Sequence, residues 1–206
     1  MPPMPDSEGA RLDREPAPYE RSVGVSKGQL GMVVFLASLS VLFAACLVAM
    51  VVTRFSSAAW PRPQGGELPK GLLLTTSIMV GLSMTLHRAV VAARGNRQLA
   101  IVSSLNWAML LAVAFVLSQV LNWLHVAAHD LAAETATLYP FAFFFLTGLH
   151  ASHVLGGLLG LAVIRARARN LDYSSSRHEP LRLCAQYWHF LGVVWAVLAG
   201  ALVLMR

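Results

Sequence analysis

The sequence predicts an all-α protein, an integral membrane bundle of five transmembrane helices. Of its 206 residues, 56% are hydrophobic and only 13% are charged, and the mean hydropathy is +0.60. A soluble domain of this composition would lack the polar side chains needed to cover its surface. The apolar residues also fall into five runs long enough to cross a bilayer, separated by segments rich in Arg, Pro and Gly. These observations together favour the membrane bundle over any soluble fold.

The five apolar runs give the predicted spans. They cover residues 30–53, 71 to about 91, about 99–124, about 138–164, and 183–205. Residues 1–27 come before them and hold half of the prolines among mixed charges. This composition predicts a disordered cytoplasmic tail that buries no apolar surface, so residues 28–206 form the membrane domain.

The basic residues predict the orientation of the chain. Twelve Lys and Arg residues fall in the tail and in the second and fourth connections, against four in the other connections and at the C-terminus. Because cytoplasmic loops carry the excess of basic residues, the N-terminus should be cytoplasmic and the C-terminus outside. The net charge of +6 could also suggest nucleic acid, but these residues lie mainly between apolar runs and meet anionic headgroups there. We therefore expect no nucleic-acid partner.

Small residues recur every four positions in two of the runs, a pattern that allows a second helix to approach closely in lipid. They are Gly148, Ser152, Gly156 and Gly160 in the fourth run, here called the glycine seam, and Gly192, Ala196 and Gly200 in the last run. His150 and His153 fall on the helix face opposite the glycine seam. A helix with a packing seam on one face and polar groups on the other is expected in the middle of a bundle.

The positions of the acidic and cysteine residues exclude several kinds of site. All ten Asp and Glu residues lie outside the five predicted spans, so a carboxylate relay through this chain alone is excluded. Cys46 and Cys184 lie within or at the edge of apolar runs, which provides neither a disulfide framework nor a Cys-based metal motif. The chain also lacks a Ser-His-Asp set and a phosphate-binding Gly loop, so we predict no catalytic residues.

The histidines are the remaining candidate ligands. A bis-His haem needs ligands at similar depth, whereas His153, His150 and His189 are predicted about 16, 21 and 9 Å from the cytoplasmic ends of their helices, at ~1.5 Å per residue. We interpret them as structural or lipid-contacting. His125 and His129, placed in the outer connection, have the i, i+4 spacing of a zinc pair, but interface histidines are the favoured interpretation. A small transporter and a stand-alone b-type haem protein stay open as alternatives.

Two motifs resemble those of the haem-copper oxidase subunit III family, in its short five-helix bacterial form. Residues 143–157, FFFLTGLHASHVLGG, are similar to the family signature FFxLTGLHxxHVxGG. Residues 187–190, YWHF, with VVW at 193–195, are similar to YWHFVDVVW. The resemblance extends over roughly residues 28–205.

The resemblance implies a subunit without redox centres, and so without cofactor or metal of its own, in a bacterial inner membrane. It would pack beside catalytic subunit I and subunit II of a proton-translocating terminal oxidase, stabilise the oxygen-reducing subunit and bind phospholipid. Haem and copper would belong to the partner subunits. The polar and aromatic residues of the two motifs would orient the core or contact lipid; they are His150, His153, Tyr187, Trp188 and His189. Arg165, Arg167 and Arg169 would hold anionic lipid. A cytochrome c oxidase is the favoured complex, with a quinol oxidase or a nitric oxide reductase as alternatives.

Four positions depart from the family pattern, since an acid is usual at each. They hold Leu39, Asn122, Arg182 and Gly192. Glu179, one turn before Arg182, is a candidate replacement for the missing loop acid. The packing motifs are kept while these acids are lost, so the fold and the partnership carry over better than a direct role in proton uptake.

Overall fold

A computed structural model of the chain describes residues 26–57, 70–130, 138–170, 173 and 178–204. These residues form five α-helices and, within the described ranges, no β-strand. The helices are α1 (Lys27–Ser56), α2 (Lys70–Arg94), α3 (Gln98–Asp130), α4 (Leu138–Arg169) and α5 (Glu179–Leu204). All five are long and apolar enough to cross a membrane, which confirms the predicted number of spans and the all-α class.

The helices run further than the predicted apolar spans, mostly by about one turn. α3 continues to Asp130 through the start of the predicted outer connection, and α5 begins at Glu179 before the predicted start at 183. Hydropathy alone ends a span at the first polar residues, but the backbone of a helix can continue to the headgroup region with polar side chains. The predicted tail lies outside the described residues apart from Ser26 and Lys27, and so does Met205.

Four helices form a closed ring, and the fifth lies outside it. α2 packs against α3, α3 against α4, α4 against α5, and α5 against α2, while α1 contacts only α5 and α4. α1 is accordingly the most exposed helix, with Leu39, Phe43 and Met50 as its buried residues. The described chain is therefore a four-helix ring with α1 laid over the junction of α4 and α5.

The helices of the ring are antiparallel to their neighbours. On the α2–α5 side the indole Nε1 of Trp195 donates to Thr76 Oγ1 at 3.2 Å, and the Ser83 hydroxyl hydrogen-bonds with His189 Nδ1. Residue numbers therefore rise along α2 in the direction in which they fall along α5, so the two helices are antiparallel. This is the arrangement expected for successive membrane spans joined by short connections.

α1 and α5 are parallel and are joined at their N-terminal ends by a polar contact, here called the α1–α5 clamp. The Ser26 hydroxyl donates to Glu179, and Arg182 Nη2 donates to Gln29 Oε1 at 2.9 Å. Both pairs are separated by 153 positions, and such a constant separation means that the two helices run in the same direction. Ser26 also caps α1, because its Oγ accepts from the backbone N–H of Gln29 at 3.1 Å.

The turn between α2 and α3 is closed by Asn96, which has φ 52°. The N–H of Arg97 donates to the carbonyl of Ala92 at 3.0 Å, and the N–H of Asn96 to that of Ala93 at 3.1 Å. This is the Schellman pattern, in which a left-handed residue ends a helix and satisfies its last carbonyl groups. Asn accepts that conformation more readily than most residues, which explains the tight reversal at 94–97.

The buried side chains form two clusters. The larger fills the centre of the ring and includes Leu82, Leu86, Leu105, Phe115, Leu161, Trp188 and Trp195. The smaller joins α1 to α4 and α5 and contains Phe43, Met50, Phe143, Leu146, Val194, Leu198 and Leu202, with Val126 of α3. His150 lies between the two clusters, since its ring is close to Phe43 of the smaller cluster and to Phe115 and Trp195 of the larger one.

Candidate functional site

His150 lies at the centre of the bundle, fully buried among aromatic rings. Its imidazole centroid is 5.3 Å from that of Trp195 on α5, 5.8 Å from Phe115 on α3 and 6.2 Å from Phe43 on α1. Three other helices therefore meet α4 at this residue. The sequence interpretation of His150 as a core residue agrees with its exposure of 0%.

His153, one turn further along α4, is half-buried and faces the junction with α1 and α5. Its Nδ1 lies 2.8 Å from the carbonyl oxygen of Leu149, and its ring is 5.3 Å from that of Phe43. The hydroxyl of Tyr187 donates to the backbone carbonyl of His153 at 2.8 Å. The ring of Tyr187 also stacks on Phe35 of α1, with centroids 6.0 Å apart. Tyr187 thus connects α5 to α4 and α1 at once.

His189 lies on the side of α5 that faces α2. Its Nδ1 hydrogen-bonds with Ser83, so it is directed away from the α1–α4 junction at which His153 lies. The structure therefore separates His189 from the two α4 histidines, as the difference in predicted depth suggested. This arrangement does not offer facing imidazoles for a bis-His haem.

Gly157 provides the closest approach of α4 to α5. A β-carbon at this position would lie 2.8 Å from Tyr187 Cε1 and 3.1 Å from Trp188 Cζ2, so the absence of a side chain admits both rings. Trp188 itself is buried to 1% exposure. Gly157 belongs to the LGG end of the first family-like motif, while Tyr187 and Trp188 open the second. The two motifs of the sequence thus meet at the α4–α5 contact.

The glycine seam does not pack against another described helix of this chain. No atom comes within 4 Å of a β-carbon built at Gly148, Gly156 or Gly160, and Ser152 is exposed. Within the described chain, α4 is therefore not surrounded on its seam face. α5 packs instead on the face that contains Gly157, because the rings of Tyr187 and Trp188 need the space there. A contact between the seam and a partner chain stays a prediction.

The small residues of α5 divide in the same way. Gly192 contacts α2, since its β-carbon would lie 3.5 Å from Met79 Cγ, an ordinary packing distance. Nothing lies within 4 Å of a β-carbon at Gly200, and Ala196 is exposed. No described helix of this chain therefore packs closely at Gly200, and a close helix contact at Gly200 and Ala196 stays a prediction.

Two of the positions that usually hold an acid are directed into the bundle. Leu39 is buried, one turn before Phe43 on the same face of α1. Asn122 of α3 is half-buried, and its carboxamide lies where a side chain on Gly71 of α2 would stand. Its Nδ2 is buried with no hydrogen-bond partner among the described residues. An acid at either position would therefore face the interior of the helix bundle.

Glu179 and Arg182 were predicted in a loop, but both belong to the first turn of α5. The α1–α5 clamp engages each of them, Glu179 with Ser26 and Arg182 with Gln29. The clamp was not predicted from the sequence. Ser26 with Gln29 three residues later is a capping-box pattern that marks the start of α1, but it does not indicate that α5 is the partner helix.

Two apolar grooves separate α1 from α4, one on each side of the contact between Phe43 and His153. The groove nearer the N-terminal end of α1, here called the inner groove, has a volume of about 560 Å³. The groove nearer the C-terminal end of α1, here called the outer groove, has a volume of about 410 Å³. The inner groove is lined by residues of α1, α4 and α5, among them Met32, Phe35, Gly156, Gly160, Cys184 and Tyr187. The outer groove is lined by residues of α1 and α4, among them Cys46, Ala49, Met50, Phe141 and Phe145. The exposed part of the glycine seam thus forms one wall of the inner groove.

The basic residues at the end of α4 lie next to the inner groove. Val163 and Ile164 line the groove, and Arg165 follows directly. Arg165 Nε donates to Asn106 Oδ1 of α3 at 2.6 Å, which holds this guanidinium on the ring. Arg167 and Arg169 are exposed in the last turn of the helix.

The candidate zinc pair lies on a helix and not in a connection. His125 and His129 both belong to α3, and His125 is exposed. In the described part of the chain, no group of three or more His, Cys, Asp or Glu residues is placed to hold a metal ion.

Comparison with known proteins identifies the family. The family model described as cytochrome c oxidase subunit III matches residues 19–203. A protein named cytochrome c oxidase subunit 3 from Synechocystis sp. is 29% identical over 171 residues, which cover 82% of this chain and 71% of that protein. The protein of the same name from Corynebacterium diphtheriae is 28% identical over 170 residues, covering 81% and 82%. That from Coturnix japonica is 30% identical over 189 residues, covering 84% and 68%.

The family match spans nearly the whole described bundle, and the two motifs that resemble the family form its α4–α5 contact. The chain therefore belongs to the cytochrome c oxidase subunit III family.

Proposed function

We propose that this chain is the non-catalytic third subunit of a respiratory haem-copper terminal oxidase, and that it stabilises the oxygen-reducing, proton-translocating subunit. The observation that carries the proposal is the family match over residues 19–203. The structure supports a supporting role in a second way. The family motif residues Gly157, Tyr187 and Trp188 are occupied in packing α4 against α5.

The proposed partners are catalytic subunit I and subunit II of the oxidase, with haem and copper held by those subunits. Gly148, Ser152, Gly156 and Gly160 form an open stripe on α4 that would suit a close helix contact with a partner. A partner helix at this seam would gain van der Waals contact along two turns or more without displacing a side chain of this chain. We expect no cofactor and no metal bound by this chain itself.

The chain is also proposed to bind phospholipid. The inner groove is apolar and open, which suits an acyl chain, and Arg167 and Arg169 follow its lower wall by about one turn. Anionic headgroups are attracted by such exposed basic residues at the membrane surface, by about 1 kcal/mol for each. An anionic lipid would therefore place its chains in the groove, between α1 and a partner helix at the glycine seam, and its phosphate near the end of α4.

Native mass spectrometry of the purified complex tests the lipid proposal. Replacing Arg167 and Arg169 with Gln should lower the occupancy of phosphatidylglycerol or cardiolipin, while the same replacement of Arg88 and Arg94, both exposed near the end of α2, serves as a charge-matched control. An unchanged lipid occupancy in the double variant would remove this site from the proposal.

We propose that the complex lies in a bacterial inner membrane with the N-terminus of this chain in the cytoplasm. The proposal rests on the twelve to four division of Lys and Arg between the two sides and on the odd number of spans. A periplasmic-active reporter fused after Arg206 should be active. If a reporter that works only in the cytoplasm is active when it is fused after Arg206, the topology is the reverse of the one proposed.

Co-expression tests the supporting role. The catalytic subunit should retain more haem after detergent extraction when it is expressed with this chain than without it, because a bound subunit covers apolar surface that detergent would otherwise enter. Equal haem retention, measured by the optical spectrum per amount of catalytic subunit, would contradict the stabilising role.

A further inference from the structure

Two polar side chains at the centre of the bundle have buried atoms that no described residue satisfies. His150 is 0% exposed and Gln119 of α3 is 2% exposed. Both ring nitrogens of His150 and both polar atoms of the Gln119 carboxamide lack a hydrogen-bond partner within the part of the chain that the structure describes. A buried polar group that is left unpaired destabilises the folded protein, so four such atoms together call for a partner.

The register of α3 and α4 places these two side chains at the same level. The indole Nε1 of Trp123 donates to Thr147 Oγ1 at 2.9 Å, and Asn106 accepts from Arg165 nearer the other end of the same helix pair. Between these two contacts the antiparallel register brings Gln119 opposite Ala151, the neighbour of His150. Both side chains are buried, so both are directed into the bundle.

Two polar groups close to His150, the Thr147 hydroxyl and the Trp195 indole N–H, already have other hydrogen-bond partners. The Thr147 hydroxyl donates to the carbonyl of Phe143 at 2.6 Å while it accepts from Trp123. The indole N–H of Trp195, whose ring touches His150, donates to Thr76. Thr147 and Trp195 are thus used by other partners and do not satisfy His150.

A direct bond between the two side chains would not satisfy them. One hydrogen bond from Gln119 to His150 uses one donor and one acceptor, and it leaves two of the four buried atoms unpaired. The surrounding rings of Phe43, Phe115 and Trp195 provide no strong acceptor. Bulk water is absent from the hydrocarbon core outside, so exposure by small motions offers no relief either.

A bound water molecule satisfies more of these atoms than a direct bond does, because its two donors and two acceptors can pair with the carboxamide and one ring nitrogen, up to three of the four atoms, within a small volume. Buried waters in proteins typically make about three hydrogen bonds to polar groups that lack other partners. We propose that Gln119 and His150 form a water-binding site between α3 and α4, at the centre of the membrane bundle. The water bridges the carboxamide to an imidazole nitrogen and ties the two helices together.

A density map of the intact complex, at a resolution that shows ordered water, tests the site in the unmodified protein. We expect a peak within about 2.7–3.2 Å of both the Gln119 carboxamide and a ring nitrogen of His150. A direct Gln119–His150 hydrogen bond with no such peak would overturn the proposal. So would a polar side chain of a partner subunit bonded to both groups.

Hydroxyl-radical footprinting of the same complex gives an independent readout, since radicals form from water bound next to a buried ring. Phe115 and Trp195, both 0% exposed, should be oxidised in the parent and should lose this oxidation severalfold in Gln119→Leu. Leu105, equally buried but nearer the start of α3, is the control residue, and its oxidation should be the same in the parent and the variant. Loss of neither signal in the variant would contradict the water site. If Gln119→Leu does not assemble, the parent decides, because unoxidised Phe115 and Trp195 there would also contradict it.

Discussion

The ring carbon Cε1 of Tyr187 lies 2.8 Å from the point at which a β-carbon on Gly157 would stand. Tyr187 also donates its hydroxyl to the carbonyl of His153 on the same helix as Gly157. This pair of contacts fixes how closely α4 and α5 approach and at which level they meet. Since the two family motifs contribute the two sides of the contact, it is the part of the bundle that the sequence specifies most tightly.

Gly157→Ala should therefore destabilise the chain, while Gly156→Ala should not. Both substitutions gain a similar helix propensity, of about 1 kcal/mol, so their difference isolates the steric term. The added methyl group at 157 meets two rigid rings, whereas at 156 it meets open space. We expect Gly157→Ala to be less stable than Gly156→Ala by about 1–3 kcal/mol, measured by unfolding in mixed micelles. Equal stabilities would mean that the α4–α5 contact is looser than described.

A larger side chain on the glycine seam should affect association and not folding. Gly156→Leu places a bulky group on an exposed face of α4 and gains helix propensity, so the unfolding free energy of the isolated chain should not fall. If the seam receives a partner helix, the amount of catalytic subunit that copurifies with the variant should fall. Ala162→Leu, a similar enlargement at an exposed position of the same helix that lies off the seam face, is the control. Copurification at the parent level would mean that the seam faces lipid.

The number and approximate bounds of the spans could be predicted from the sequence, but the partners of the small residues could not. The number of spans and their approximate bounds follow from hydropathy, because lipid demands about twenty apolar residues per helix. The small residues of Gly148 and Gly156 were correctly located on one face. Their role was not, since a small-residue pattern indicates that a close approach is possible but not which helix, or which chain, makes it.

The interior polar contacts were the least predictable part. The burial of Gln119 could not be predicted from the sequence, because a single Gln in an apolar run has no periodicity and its direction depends on the rotation of α3. Ser26 and Glu179 are 153 positions apart, and their contact follows only from the parallel packing of α1 on α5. Such long-range pairs come from topology, which local sequence patterns do not encode.

The α1–α5 clamp gives a further prediction. Ser26→Ala removes both the cap of α1 and the donor to Glu179, and a lost cap typically costs about 0.5–2 kcal/mol. Ser40→Ala is the matched control, since Ser40 is exposed on the same helix and donates only to the carbonyl of Leu36. Thermal unfolding in detergent should show a lower Tm for Ser26→Ala alone. If the two variants unfold together, the clamp contributes nothing to stability.

The buried position of Leu39 predicts how the chain reacts with a hydrophobic carbodiimide. Such reagents modify protonated carboxyl groups held in apolar surroundings, and Leu39 leaves no acid on the buried face of α1. The parent chain should not be labelled within a membrane span, whereas Leu39→Glu should be labelled at 39. Leu39→Gln, similar in size but without a carboxyl group, is the control. An adduct on Glu179 of the parent would instead mean that this residue enters an apolar environment.

The most direct measurement is the composition of the complex that this chain forms in native membranes. The chain is tagged, extracted in mild detergent and purified, and the proteins and the optical spectrum of the product are recorded. The account predicts a large membrane partner that contains haem, with a haem spectrum that stays with that partner when this chain is dissociated from it. Isolation of this chain as a haem-free homo-oligomer, or a haem spectrum that follows this chain alone, would contradict its assignment as a non-catalytic oxidase subunit.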